Sequence, residues 1–551
     1  MTVDAAFAPY RLAPGALPEE AARAAEAIAA EPLVAPPAEP LPAALVSRAL
    51  AEVAAGRAAP GTEPCRAADG SVAGGGGPPR ACLSSARQRA RVADAARAAL
   101  QAGFAGICLD RPDAPLALGV LGAGFCSDCQ RELARYLVRE FGDHFQPVDY
   151  RALAREAIAQ APGALSFEQL PFGRDFWRFR NEAFVRAVCE DARAARDAAR
   201  AASRSFEVVA QLEAIGPAQL RAARHLDAAI FPATPAPGAS GLGLFRVLRA
   251  AMGRRPAAVA PAPGTAGLPR LGALAASCGI ELSGLEPSGA GDGVARIRRV
   301  ARQLHAAGLS PTAGDPVVEC AVLYSAEADL WTQGRHRIAV ERAVECLAAL
   351  HVQAAVVTQV ARAPATAALA LADAAGLPPG EAKEVRRRLE AGAPVLTFGE
   401  PSAIDEAGRP AGPFLPAPKA AGTRVGEGML VGLPPLAPER GGAISPGLVD
   451  KAAAVVLGKG RRAAGVVSRV PLVVILHRAG SALLAHLVAP DDEPARGTTL
   501  FLGVHLAGGA RRARFVSADG SDVRIPMNPS GYSVSTVLPA FRGYAVLSLA
   551  V

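Results

Sequence analysis

The chain lacks several features that would place it quickly. No stretch approaches about 18 apolar residues without a charge, a proline or a glycine cluster, so a membrane-spanning helix is not expected. The first ten residues, Met1 to Tyr10, lack a basic segment followed by an apolar one, so no export signal is expected either. A concentrated basic face is missing too: 59 basic residues are interleaved with 51 acidic ones, as along Glu381 to Glu390. Phosphate backbones need clustered charge, so the formal +8 gives no reason to expect a nucleic-acid partner. The 9 cysteines are an odd number with no framework spacing, and several sit in apolar runs. That usage suits reduced, mostly buried thiols and a cytoplasmic location. Gly74 to Gly77 is not followed by Lys-Ser or Lys-Thr, which excludes a phosphate-binding loop and leaves a flexible one. Cys320, Cys346 and His351 have no Gly-x-Cys-x-Gly elbow beside them, so amidotransferase-type cysteine chemistry is set aside.

What the chain does have is length and alternation. At 551 residues it exceeds one hydrophobic core and implies two to four domains. Residues 1–80 read poorly: an amphipathic run over 19–30, a proline-rich passage over 31–42, a helical run over 43–55. From 85 onward helices alternate with short apolar strands. A helix over 85–102 leads to a strand over 104–109 that ends at Asp110. A helix over 174–202 leads to a strand over 206–212, and further units follow to 307. This alternation predicts a parallel sheet, open or closed into a barrel. Past a glycine- and proline-bearing break at 308–316 the alternation restarts, which predicts a second α/β domain. Beyond the proline-rich 413–439, short alternating strands predict a β-sandwich.

Three runs carry a family resemblance: Ala81 to Ser85, Ala102 to Asp110, and Phe125 to Gln130 with the following Leu133 to Gly142. They resemble the β-galactosidases of glycoside hydrolase family 42. The resemblance implies a TIM-like (β/α)8 barrel over 1–315, then an open, glutamine-amidotransferase-like trimerisation domain over 316–432, and a C-terminal β-sandwich over 433–551. It also implies a homo-oligomer, a trimer, and a carbohydrate partner, with no membrane partner and no cofactor required for catalysis. In the family the proton donor is the Glu of an Asp-Asn-Glu triplet. The matching positions here are Asp110, Arg111 and Pro112, so Asp110 is kept and the donor position is a proline. Retaining hydrolysis needs two carboxylates roughly 5–5.5 Å apart. The strand-end candidates are Asp110 and Glu213, with Glu286 a weaker third; the alternatives are that Asp110 braces its loop and that Glu213 is a first-turn helix residue. Arg111, Trp177 and Arg180 are candidate sugar contacts, although Trp177 equally suits packing of its helix. Cys82, Cys126 and Cys129 match three of the family's four structural zinc ligands. Gly124 stands at the fourth, and Cys65, Cys108, Asp128 or His144 would have to supply it. Two functions follow: hydrolysis of a β-linked oligosaccharide, or a catalytically inactive barrel that binds carbohydrate or serves assembly.

Overall fold

A computed structural model describes residues 9–11, 50–58, 62–74, 78–119, 121–142, 148–160, 169–235, 240–261, 267–282, 291–306, 314–405, 409–436, 445–458, 462–490 and 493–550. The amphipathic run over 19–30, the proline-rich 31–42, Glu286 and His144 lie outside them. The chain forms two compact units, one of Thr2–Pro232 with Arg255–Ala260, the other of Ala233–Arg254 with Pro261–Val551.

The first unit is built on parallel strands that neighbour one another in chain order: β1 (Pro9–Arg11), β2 (Leu50–Val53), β3 (Gly106–Asp110), β4 (Glu207–Gln211), β5 (Ala228–Pro232) and β6 (Ala257–Ala260). β2 corrects the helical reading of 43–55 where that run is described. Its alanine-rich sequence favours a helix in isolation, yet Leu50, Ala51 and Val53 are buried and both edges are hydrogen-bonded, to β1 and β3. Tertiary pairing overrides propensity here. The helix Ala86–Gln101 is capped by Ser85, which accepts from the Gln88 amide at 3.4 Å. The 29-residue helix Gly173–Ala201 turns Phe176, Phe179, Ala183 and Phe184 inward at helical spacing. Ahead of it lies a shorter helix, Tyr150–Gln160. Its Tyr150 ring lies 4.7 Å from Phe176 and 5.9 Å from Phe125, so this helix packs on the longer one through a small shared aromatic cluster.

The second unit contains a mostly parallel sheet in the order Ala354–Val357, Cys320–Leu323, Ala368–Ala372, Val395–Phe398, Gly428–Leu433, Thr423–Val425, with only the last pairing antiparallel. Its β-rich C-terminal part has two antiparallel sheets whose inward residues, among them Leu500, Leu502 and Val534 of one and Leu476, Phe515 and Leu547 of the other, share a single core. The helices Leu242–Met252 and Leu268–Ser277 belong to this unit. Among the described residues no helix is long and apolar enough to cross a membrane.

Candidate functional site

The C-terminal ends of β3 and β4 place two carboxylates side by side. Asp110 closes β3 in register with Gln211, and Glu213 follows β4 by two residues. Arg111 turns the chain away from β3 with φ +44, a left-handed conformation that costs a non-glycine residue about 1 kcal/mol or more. Its amide donates to the Gln211 carbonyl at 2.8 Å, which fixes the turn. Gly56 lies against this turn: a Cβ there would stand 2.0 Å from the Arg111 carbonyl oxygen, so only glycine lets the two backbones approach.

From this turn the Arg111 guanidinium reaches both acids. Nε and Nη2 donate to the two Asp110 oxygens at 3.0 and 3.4 Å, and Nη1 donates to Glu213 Oε1 at 3.3 Å. Arg80 Nη1 donates to the same Glu213 oxygen, also at 3.3 Å. The side chains of Asp110 and Glu213 are 9% and 21% exposed, so these contacts are largely withdrawn from water. The hydrogen bond with Asp110 leads the effects that hold Arg111 above its usual range, and so keep it charged. Beneath them Asp113 is fully buried and accepts from the Glu213 amide at 2.9 Å, the Ala214 amide at 3.1 Å and Gln219 Nε2 at 3.1 Å. Burial pushes the Asp113 carboxyl up to about 6 against those stabilising bonds. Asp110 and Glu213 are thus brought together, but each is occupied by a guanidinium rather than presented free. Sequence reasoning missed Arg80, Asp113 and Gln219. The acid run from Asp110 to Asp113 at a strand end was the available signal for Asp113; Arg80 is 133 residues from its partner and gave none.

Trp177 and Arg180 lie on the helix Gly173–Ala201. Arg180 is buried, with its guanidinium over the Phe176 and Trp177 rings at 5.7 and 5.8 Å. It donates to the Pro115 carbonyl at 2.7 Å and to that of Gly119. These contacts brace the loop after β3.

Beside Arg180 four cysteines converge. Cys126 and Cys129 sit at the start of the helix Ser127–Phe141, and Cys82 Sγ lies 3.2 Å from Cys126 Sγ and 3.4 Å from Cys129 Sγ. Cys65 joins them from the loop 62–74: its sulfur and those of Cys126 and Cys129 all lie within 4.8 Å of one another. All four are buried and unpaired as disulfides. The Gly124 amide donates to Cys65 Sγ at 3.1 Å. Gly124 itself has φ +98, which disfavours any side chain, and a Cβ there would press on Phe176 and Arg180 at 3.0 Å, so glycine suits the position where the resemblance implies cysteine. The neighbouring thiols, led by Cys129, hold Cys126 far below the usual thiol range, while hydrogen bonding to Cys126 drives Cys65, Cys82 and Cys129 above it. Burial pushes the Arg180 guanidinium down, and the Cys65 and Cys129 sulfurs oppose that shift. Four sulfurs bound to one Zn²⁺ at roughly 2.3 Å would stand about 3.8 Å apart, which these spacings accommodate with small adjustments. The donor set fits a closed structural zinc: the helix N-terminus and Arg180 both favour thiolate, and no position is left open for substrate. Cys108 lies apart in β3, where burial pushes it up to about 12.

In the second unit Cys320 lies inside a fully buried strand and burial pushes its thiol up to about 12, which leaves it inert.

No protein family model matches the chain, and no curated protein matches its sequence. Solved structures do match in fold. A catalytic mutant of a family 42 β-galactosidase from G. stearothermophilus aligns over 91% of this chain and 88% of its own, at 12% identity and a TM-score of 0.62. The cold-adapted β-galactosidase from Rahnella sp. R3 aligns over 92% and 88%, at 11% identity and 0.60. An α-L-fucosidase isoenzyme from Paenibacillus thiaminolyticus aligns over 91% and 87%, at 12% identity and 0.60. At these identities the likeness is one of fold, and the chain has a glycoside-hydrolase-like architecture.

Proposed function

We propose that this protein is a catalytically silent, carbohydrate-binding relative of the barrel glycosidases. The observation that carries this reading is the Arg111 guanidinium shared by Asp110 and Glu213, with Pro112 at the position of the proton donor. Glycoside hydrolysis asks one carboxyl group to give up a proton while another attacks the anomeric carbon from the opposite face. Two acids clamped by the same cation on adjacent strand ends are arranged for neither task. The parallel strands β1 to β6 support a (β/α)8 barrel over 1–315, the sheet around Cys320–Leu323 an amidotransferase-like domain over 316–432, and the paired antiparallel sheets a sandwich over 433–551. On this reading the middle domain joins three chains. Zinc in the Cys65, Cys82, Cys126 and Cys129 cluster would supply a cross-link between the loop 62–74, the segment 80–82 and the helix Ser127–Phe141, and no chemistry.

A glycan microarray probed with the full chain, followed by incubation of each captured β-linked oligosaccharide and analysis for released monosaccharide, tests the proposal. Capture without release supports it. Release of sugar from a captured glycan would establish the hydrolytic reading, for which the glycosidase neighbours and the strand-end acids speak.

A further inference from the structure

The second unit holds a cavity of about 560 Å³ whose polar lining is mainly guanidinium. Arg246 and Arg249 lie three residues apart on one face of the helix Leu242–Met252, and Arg254 follows Gly253, which ends that helix with φ +63. Asp315 is the one acid among the lining residues, and it is exposed, on the short strand Asp315–Pro316.

Arg246 is the unusual member. It is 7% exposed, and its Nε has no hydrogen-bond partner. Among the described residues none of the three arginines makes an ion pair. A buried guanidinium ordinarily has a carboxylate or a full set of acceptors, because burying an unpaired charge is costly. The groups around Arg246 supply no such charge. Burial, followed by the charge of Arg246, holds His477 down to about 4, and burial holds His486 well below its usual range, so both rings are neutral at physiological pH. Cys278 is pushed up by burial and is a neutral thiol. Glu345, whose charge acts on Cys278, accepts from Ser240 Oγ at 2.6 Å and from the Gly243 amide at 3.2 Å. Burial also pushes the Arg249 guanidinium down, and Arg254 adds to it. The cavity therefore presents three cations against one rim carboxylate, an excess of two positive charges that the fold leaves uncompensated.

We propose that this cavity binds a phosphate group, as free phosphate or as the phosphomonoester of a small metabolite, with Arg246 as the buried anchor and Arg249 and Arg254 as forks at the mouth. A phosphate dianion matches the charge excess, and its three terminal oxygens accept from planar guanidinium forks in bidentate fashion, which one carboxylate cannot do for three arginines. The volume leaves room for a sugar-sized body beyond the phosphate.

Isothermal titration of the full chain at constant ionic strength, with inorganic phosphate and separately with glucose 6-phosphate, tests this. The expected result is saturable binding at one site per chain, weakened about tenfold or more by Arg249→Gln and again by Arg254→Gln. These two side chains are not fully buried, so their replacement leaves the packing of Arg246 intact, and an unchanged melting temperature without ligand verifies that. Tighter binding of glucose 6-phosphate than of phosphate assigns the site to a phosphorylated metabolite; equal binding assigns it to free phosphate. No saturable heat with either up to about 10 mM, or binding that both variants keep undiminished, overturns the proposal.

Discussion

Arg111 does two things that work against each other: it holds a left-handed backbone that any side chain disfavours, and its guanidinium donates to two acids at once. Removing the guanidinium leaves Asp110, which is 9% exposed, without its partner, and alanine keeps the Cβ that disfavours the left-handed backbone, so Arg111→Ala should destabilise the chain by about 1–2 kcal/mol in urea denaturation. Asp113 makes a pH-dependent prediction. Its folded pKa of about 6 lies above the ordinary 3.8, so the folded state holds this proton more tightly than the unfolded chain. The associated stability is full below 3.8 and is lost as pH rises through about 6, an effect of at most about 2–3 kcal/mol. His477, held down to about 4, acts with the opposite sign, since its share is lost as pH falls from 6.5 toward 4. The difference between wild type and Asp113→Asn across pH 4–7 isolates Asp113, and the variant should show the shallower loss of stability with rising pH.

At the scale of elements, the cysteine cluster and the carboxylate site are connected. The Cys65 amide donates to the Arg80 carbonyl at 2.9 Å, and Cys82 follows Arg80 by two residues, so the segment that carries Arg80 to Glu213 is anchored beside two of the four cysteines. Zinc at one equivalent per chain by plasma mass spectrometry is expected, with Cys65→Ser lowering it as much as Cys82→Ser. Retention of full zinc by Cys65→Ser would remove Cys65 from the ligand set. Gly56→Ala, which aims a Cβ at the Arg111 carbonyl, should cost about 2–4 kcal/mol by spreading the ends of β2 and β3, again measured by denaturation. What was legible beforehand follows from range. Asp110 and Glu213 could be picked out because each directly follows a short, largely apolar run, 104–109 and 208–212, and Cys126 with Cys129 because their spacing sets both sulfurs at one helix end. Cys65 and Arg80 could not, since they lie in irregular loop whose course is set by contacts distant in sequence. The strand character of Leu50–Val53 was hidden for a related reason: it lies in the alanine-rich run 43–55 and has no β-branched residue besides Val53.

For the whole molecule, the fold spans nearly the full length of the glycosidases it resembles while about one residue in eight is shared. Fold is retained on packing, whereas activity depends on a few placed groups, so likeness of architecture carries no chemistry by itself. Association through 316–432 should give light-scattering masses of three chains of 56.1 kDa at micromolar concentration; a strictly monomeric mass would rule out the trimer. The central claim, that the strand-end acids do not hydrolyse glycosides, is tested most directly by progress curves with 4-nitrophenyl β-galactoside and β-glucoside for the wild type beside Asp110→Asn. The account predicts no turnover above buffer for either protein; turnover by the wild type that Asp110→Asn abolishes would contradict it.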